Sequence, residues 1–265
     1  MVLEQLSHHL IARSVWEELS GSCLDDLAAI EVFDAIDSTQ LAIQSRSLQG
    51  RDWLACVALQ QRAGFGRQGR VWQSVPGQVA LSWRGWLSIP TASIGLMSLA
   101  AALAIGDVLD KFQVKGVGFK WPNDIYIQDK KLAGVLVSIC QQKGNRFDAV
   151  LGIGLNRLHL SLPEQAIALA DIIPNPPSLS TVLAELLMAW HQWKSVLMLE
   201  DGRKQVRVAW LERALWMNAS VRVWLHNGYV DGVFVGITSS GLLRVATESG
   251  EMVFAAGEVQ LRPLD

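Results

Sequence analysis

Apolar positions along the chain fall into short extended runs and two longer helical stretches. Trp53–Gln60 and Gln78–Leu87 predict strands, as do Val117–Trp121, Ile125–Ile127, Leu132–Ile139 and Ala149–Leu155. The most apolar stretch, Ile94–Gly106, follows Ser93, a favourable N-cap residue. It predicts a buried helix over 93–113 with a lysine-flanked last turn. Val182–Leu199 predicts a second helix, and residues 1–30 read as one or two short helices broken at Gly21-Ser22. Beyond about Trp216 the rhythm changes. Val221–Leu225, Tyr229–Ile237, Leu242–Ala246 and Met252–Ala255 are β-rich and separated by Asn227-Gly228, Ser240-Gly241 and Ser249-Gly250. Those dipeptides supply the positive φ of tight hairpins. The expected organisation is α+β: a mixed-sheet domain over 1–215, then a small β-barrel over 216–265.

Composition narrows the function classes. Half of the 265 residues are hydrophobic and 18% are charged, which suits a large core. Lys and Arg number 23 against 25 Asp and Glu, so no general basic face for nucleic acid is expected. Cys23, Cys56 and Cys140 lack a C-x-x-C pair, and His8, His9, His159, His191 and His226 are scattered, so neither a disulfide framework nor a zinc site is suggested. Ile94–Gly106 is shorter than the roughly 20 residues of a membrane span. The N-terminus lacks the basic-then-apolar order of a signal peptide, and a cytoplasmic location is expected.

Two segments concentrate chemistry. Gly64-Phe65-Gly66-Arg67-Gln68-Gly69 matches G-x-G-x-x-G after a strand, but two requirements of a dinucleotide site fail. Val71-Trp72 and Val75-Pro76-Gly77 oppose a helix after the third glycine. No acidic residue stands between Asp52 and Asp107 to hold a ribose. What remains is a glycine-freed loop with Arg62, Arg67 and Arg70, suited to an anion or, more blandly, a solvated basic turn. The second segment is Lys120-Trp121-Pro122-Asn123-Asp124, continuing through a polar turn to Lys130-Lys131-Leu132-Ala133-Gly134. Its returning strand would bring Lys131 beside Lys120 and Asp124. Asn123 and Asp124 could hold a hydrated magnesium or a ribose, although polar turns with lysines are most often only turns.

Together, GFGRQGRVW (64–72) and KWPNDIYIQDKKLAGVL (120–136) resemble the two signatures of the biotin–protein ligase family. The resemblance continues through Ser38-Thr39-Gln40, Gln61, Gly152-Ile153-Gly154-Leu155-Asn156, and Gly257-Glu258 to Arg262, in the family order. It implies a biotin/lipoate ligase-like catalytic domain with an SH3-like barrel behind it. Three positions depart from the family pattern: Gln40 replaces Asn, Phe65 replaces the first loop Arg, and Ala166-Ile167-Ala168-Leu169 lacks the usual hydroxyls.

The activity implied is formation of biotinyl-5′-AMP from biotin and ATP, then transfer to a lysine of a biotin carboxyl carrier protein of acetyl-CoA carboxylase. Arg67, Lys131 and Asp124 are the implied catalytic residues. Ser38, Thr39, Gln40, Gln61, Gly64, Phe65, Gly66, Arg67, Lys131 and Gly152 would bind biotin. Arg67, Arg70, Trp72, Lys120, Asn123, Asp124, Lys131 and Asn156 would bind ATP, with Asp124 and Asn123 on Mg2+. Trp72 could equally be core. No membrane or nucleic-acid partner is expected, and the enzyme would be a monomer or homodimer. A lipoate ligase is the nearest rival. A DNA-binding repressor is opposed by the 37 residues before Ser38, whose only Lys or Arg is Arg13.

Overall fold

Two faces of one sheet decide this architecture, and the side chains of its central strands show why. The computed structural model describes residues 2–19, 27–48, 53–75, 77–158, 161–256 and 260–264. Its larger sheet has the order β1-β2-β3-β7-β6-β5-β4, from Leu27–Ile36 (β1), Trp53–Gln61 (β2), Val79–Ser88 (β3), Gly118–Lys120 (β4), Asp124–Ile127 (β5), Lys130–Lys143 (β6) and Arg146–Leu155 (β7). β1 and β2 run parallel and every other neighbouring pair antiparallel, so the sheet is mixed.

Cross-strand partners point to the same face. Leu81 pairs with Ile153 and Trp83 with Leu151, and these large residues are buried. Between them, Ala80 pairs with Gly154 and Ser82 with Gly152, and β6 continues these rows with Gly134 and Leu136. One face is therefore bulky and the other nearly bare. The bulky face is covered by α1 (Val2–Glu18), α3 (Leu96–Lys111), α4 (Leu179–Met198) and α5 (Gly202–Leu211), with α2 (Thr39–Gln44) lying on the bare face against β2, β3 and β7. Helix α3 is buried on nearly every side, and its alanines at 100, 101, 102 and 104 permit close packing. Trp83 meets Trp190 of α4 edge-on with ring centroids 5.5 Å apart, a geometry favourable to the aromatic quadrupoles.

The second sheet is antiparallel, with order β11-β10-β9-β8-β12, from Ser220–Leu225 (β8), Gly228–Ile237 (β9), Leu243–Thr247 (β10), Gly250–Phe254 (β11) and Gln260–Pro263 (β12). Gly228 and Gly250 take φ of 145° and 120° in their hairpins, where a side chain would be strained. The connecting segment is tied to the first sheet: Phe119 N donates to the Arg213 carbonyl at 2.7 Å, and Leu215 N donates to the Phe119 carbonyl at 2.8 Å. Trp121 adds a second tie, its Nε1 donating to the Gly241 carbonyl at 3.0 Å.

The α+β organisation with a small SH3-like β unit agrees with expectation, and several details differ. Among the described residues before Ala29 there is one helix, Val2–Glu18, and β1 starts at Leu27. Gly21-Ser22, Cys23, His159 and Gly257-Glu258 lie outside the described residues. Ser93 does not cap α3; a 3-10 turn over Thr91–Ser93 intervenes, Gly95 is the N-cap, and the buried Ser93 hydroxyl has no partner among the described residues. Strand β1 and helices α2 and α5 were not apparent from the sequence pattern. Trp121→Phe should lower unfolding stability by at least about 1 kcal/mol in a denaturant titration, because it leaves the Gly241 carbonyl without its indole donor.

Candidate active site

On the bare face, the small side chains of Ala80, Gly134, Gly152 and Gly154 leave a cavity of about 340 Å³. The loop 65–72, the 120–124 hairpin, Gln61, α2 and the end of β12 wall it in. The Gly152 and Gly154 rows lie about 7 Å apart along the strand, and each serves different chemistry.

Around Gly152 the lining is polar and uncharged. Ser38 stands at the N-cap of α2 but makes no side-chain cap hydrogen bond, so its hydroxyl is not spent on the helix. Thr39 donates to Gln61 Oε1 from both N (2.8 Å) and Oγ1 (3.1 Å), and its Oγ1 lies 2.8 Å from Ser82 Oγ. Gln40 Nε2 donates to Ser138 Oγ at 3.1 Å and reaches the Val150 carbonyl at 3.5 Å, while its Oε1 accepts from Ser82 Oγ at 3.3 Å. The Gln40 amide is thus engaged at both ends. A Cβ on Gly152 would come within 2.5 Å of Gln40 Oε1, so the longer side chain fits because residue 152 is glycine.

Around Gly154 the lining is cationic. A Cβ there would meet the Trp72 ring at 2.5 Å; the glycine lets the indole lie against the sheet, with Lys131 Nζ 5.4 Å from the ring centroid. Lys131 Nζ pairs with Asp124 Oδ1 at 2.7 Å. Lys120 lies between two aromatic rings, with Nζ 5.1 Å from the centroid of Tyr126 and 5.4 Å from that of Trp216. Arg67, Arg70 and Arg262 complete the cationic lining, and among the described residues Asp124 is its only acid. Burial lowers the Lys120 pKa; Asp124 opposes that shift, while Arg262, Lys131 and Arg70 reinforce it. Burial likewise lowers the Arg67 pKa, with Asp124 opposing and Arg70 reinforcing. Tyr126 is pushed up to about 12, by burial first and Asp124 second.

Local folding explains how the two sequence segments meet. The loop is a miniature hairpin: Gly66 N donates to the Arg70 carbonyl, Trp72 N donates to the Gly64 carbonyl, and Phe65 bridges Val71. Gln68 and Gly69, both at positive φ (57° and 70°), turn its tip. Arg67 Nη1 then donates to Asn123 Oδ1 at 3.2 Å, joining loop to hairpin. Asn123 Nδ2 donates to the Val135 carbonyl at 2.7 Å, and Val135 N donates to the Asn123 carbonyl, fixing this turn to β6. The Trp121–Pro122 peptide within it is cis.

Most residues named from the sequence come together here, with two exceptions. Gly64 is buried behind the lining, where a Cβ would meet the Trp72 carbonyl at 2.8 Å. Asn156 also lies outside the lining; it accepts from Gln78 Nε2 at 3.0 Å and donates to the Lys131 carbonyl at 3.2 Å, supporting the strand that carries Lys131. Trp72, left open between ligand cover and core, lines the cavity. The lining residues not named from the sequence as site residues include the polar Ser82, Tyr126 and Arg262. Tyr126 had a signal, since it stands two positions from Asp124 on one strand and shares its face. Ser82 is a polar residue in an apolar run, and Arg262 ends the motif that resembles the ligases.

Residues 32–156 match the Biotin/lipoate A/B protein ligase family, and residues 218–262 match the Biotin protein ligase C terminal domain. The chain is 30% identical to the bifunctional ligase/repressor BirA of Salmonella typhimurium, over 89% of this chain and 75% of that protein. It is 29% identical to the biotin–[acetyl-CoA-carboxylase] ligase of Mycobacterium tuberculosis, over 97% of both. Among solved structures, the Aquifex aeolicus biotin protein ligase in complex with biotin and ATP superposes with a TM-score of 0.75 at 25% identity, over 89% of this chain and 99% of that one.

Gly154→Ala should displace the Trp72 indole and loosen the loop. Limited trypsin digestion is then expected to cut after Arg67 and Arg70 faster than in the parent protein; an unchanged rate would mean the indole does not anchor the loop.

Proposed function

This chain belongs to the biotin protein ligase family, and from that premise we propose how its pocket joins biotin to ATP and then to a carrier-protein lysine. The observation that carries the proposal is the continuity of the two rows. An uncharged hydrogen-bonding end opens directly onto a cationic end, matching a molecule with a polar neutral head and a carboxylate that must meet a triphosphate.

The ureido ring of biotin offers two N–H donors and a carbonyl acceptor. Gln61 Oε1 is already shared by two bonds from Thr39, so its Nε2 is the group free to donate to the ring. Ser38 and Thr39 supply hydroxyls, and Gln40 and Gly152 form the floor. Phe65 and Gly66 lie along the ligand's path, with Gly64 shaping the loop behind them.

In the first step a biotin carboxylate oxygen bonds to the α-phosphorus of ATP, and the bond to pyrophosphate breaks. A carboxylate is already nucleophilic, so the protein contributes position and charge neutralisation rather than a strong base. Arg67 and Lys131 would face the carboxylate and α-phosphate; Arg70 and Lys120 would face the outer phosphates, with Trp72 beside the nucleotide. Asn156 would act by holding the backbone of Lys131. In the second step the amine of the carrier lysine attacks the acyl carbon, the bond to AMP breaks, and the nitrogen loses a proton. Asp124, the only carboxylate lining the cavity among the described residues, is the group assigned to receive it.

The residues do not fit a resident metal site. Among the described residues no group of three His, Cys, Asp or Glu could hold a metal ion. The Asn123 amide bonds Arg67 and Val135, and Asp124 pairs with Lys131. Mg2+ is therefore assigned to the nucleotide, entering as part of the substrate, where phosphates supply most of its ligands. No helix among the described residues is long and apolar enough to cross a membrane.

Two measurements test the proposal. Transfer of labelled biotin to a carrier domain should fall by about a hundredfold or more in Lys131→Ala, since a charge-stabilising donor is lost; full activity in that variant would overturn the assignment. The apparent affinity for ATP should decline as pH rises through the lowered Lys120 pKa. A bound phosphate favours protonated Lys120, so binding above that pKa must take up a proton. A KM for ATP that stays flat until the ordinary lysine range would remove Lys120 from the phosphate site.

A further inference from the structure

Helix α2 carries Thr39 and Gln40 into the pocket, and their bonds to Gln61, Ser82 and Ser138 hold its first turn, but its last turn needs support of its own. It is six residues long, too short to persist without tertiary support, and its N-cap residue makes no cap hydrogen bond. Ile43 alone of its apolar side chains is fully buried, against Cys56 and Val150. The missing support comes from the sheet below. Arg84 of β3 stands two positions beyond Ser82 on the same face, and its Nη1 donates to the carbonyls of Ile43 (3.1 Å), Gln44 (2.8 Å) and Arg46, at and just beyond the C-terminal end of the helix. The other edge of the guanidinium is taken by Asp148 of β7, with Nε to Oδ1 at 2.9 Å and Nη2 to Oδ2 at 2.6 Å. Both side chains are largely buried, at 12% and 5% exposure. A fork-to-fork pair of this kind fixes the plane of the guanidinium as well as its charge.

We propose that Arg84 is a positioning residue for the biotin end of the pocket, an assignment that rests on the ligase reading above. Locked by Asp148, it closes the carbonyl end of α2 and so sets where Thr39 and Gln40 meet the ligand. It touches no ligand itself and does not line the cavity. The cationic row, carried on the loop and the hairpin, is independent of it. Its loss should therefore weaken biotin binding while sparing the ATP side.

Removing Arg84 alone would leave the Asp148 carboxylate buried without its partner, a strongly destabilising change. The test uses Arg84→Met combined with Asp148→Asn, which removes the helix contact without stranding a charge. Biotin KM in biotin-dependent ATP–pyrophosphate exchange should rise roughly tenfold, with KM for ATP and kcat at saturating biotin within about twofold of the parent. Calorimetric titration of biotin without ATP should show the same loss. Arg84→Lys, which keeps the charge beside Asp148 but loses the planar fork, should fall between the two; it also carries the test if the double variant does not fold. A folded variant with parental biotin affinity, or an equal rise in both KM values, would overturn the positioning role. Parent enzyme without any biotin-dependent exchange would instead refute the ligase reading.

Discussion

The Asp124–Lys131 ion pair is the contact around which the pocket is built. Arg67, Arg70, Lys120, Lys131 and Arg262 line one cavity, and among the described residues Asp124 is the only acid beside them. Cations gathered in a partly buried space repel one another and lose hydration, costs that rise as the dielectric falls. Asp124 offsets part of that repulsion at 2.7 Å from Lys131, and the aromatic faces of Tyr126, Trp216 and Trp72 accept some of the rest. The remaining imbalance suits the site to anions. In the proposed reaction a triphosphate would supply the missing negative charge, so affinity for nucleotide and tolerance of the crowded cations would share one physical origin.

The sheet makes this arrangement possible through an asymmetry of side-chain size. On one face, Leu81, Trp83, Leu151 and Ile153 bury a continuous apolar surface under helices. On the other, Ala80, Gly134, Gly152 and Gly154 leave open volume, and Trp72 and Gln40 occupy part of it where a Cβ would otherwise stand. The same strands thus anchor the core and floor the pocket, so the site inherits the rigidity of the sheet. The second sheet is part of this construction as well. It delivers Leu261 and Arg262 to the cavity wall and accepts a hydrogen bond from Trp121 in the hairpin.

Much of this was legible in the sequence because the chemistry is local. Lys120–Gly134 is a single hairpin, so its charges must meet wherever the hairpin lies. The glycine loop was readable as a cationic turn from its three glycines and its arginines, although its hairpin bonds and its tie to Asn123 were not. What escaped detection depends on distant partners. Arg84 sits in an apolar strand and would pass for a surface-facing residue until Asp148 and the α2 carbonyls are seen around it. Asn156 looked like a ligand contact because its motif says so, whereas its amide is engaged by Gln78 and the Lys131 backbone. Gln40 similarly directs its amide to Ser138 and Ser82. Helix α5 has a polar composition that hides it, since only Gly202, Val206 and Trp210 are buried. The Ser93 cap failed because a 3-10 turn over Thr91–Ser93 took the place of the first helical turn.

The central claim is that this cation-lined pocket activates the carboxylate of biotin, and it is tested most directly by isotope exchange between pyrophosphate and ATP in the parent protein. Exchange should occur with biotin present and cease without it, and lipoate should not substitute. Exchange driven by lipoate, or no exchange with biotin under conditions where the protein is folded, would contradict the claim.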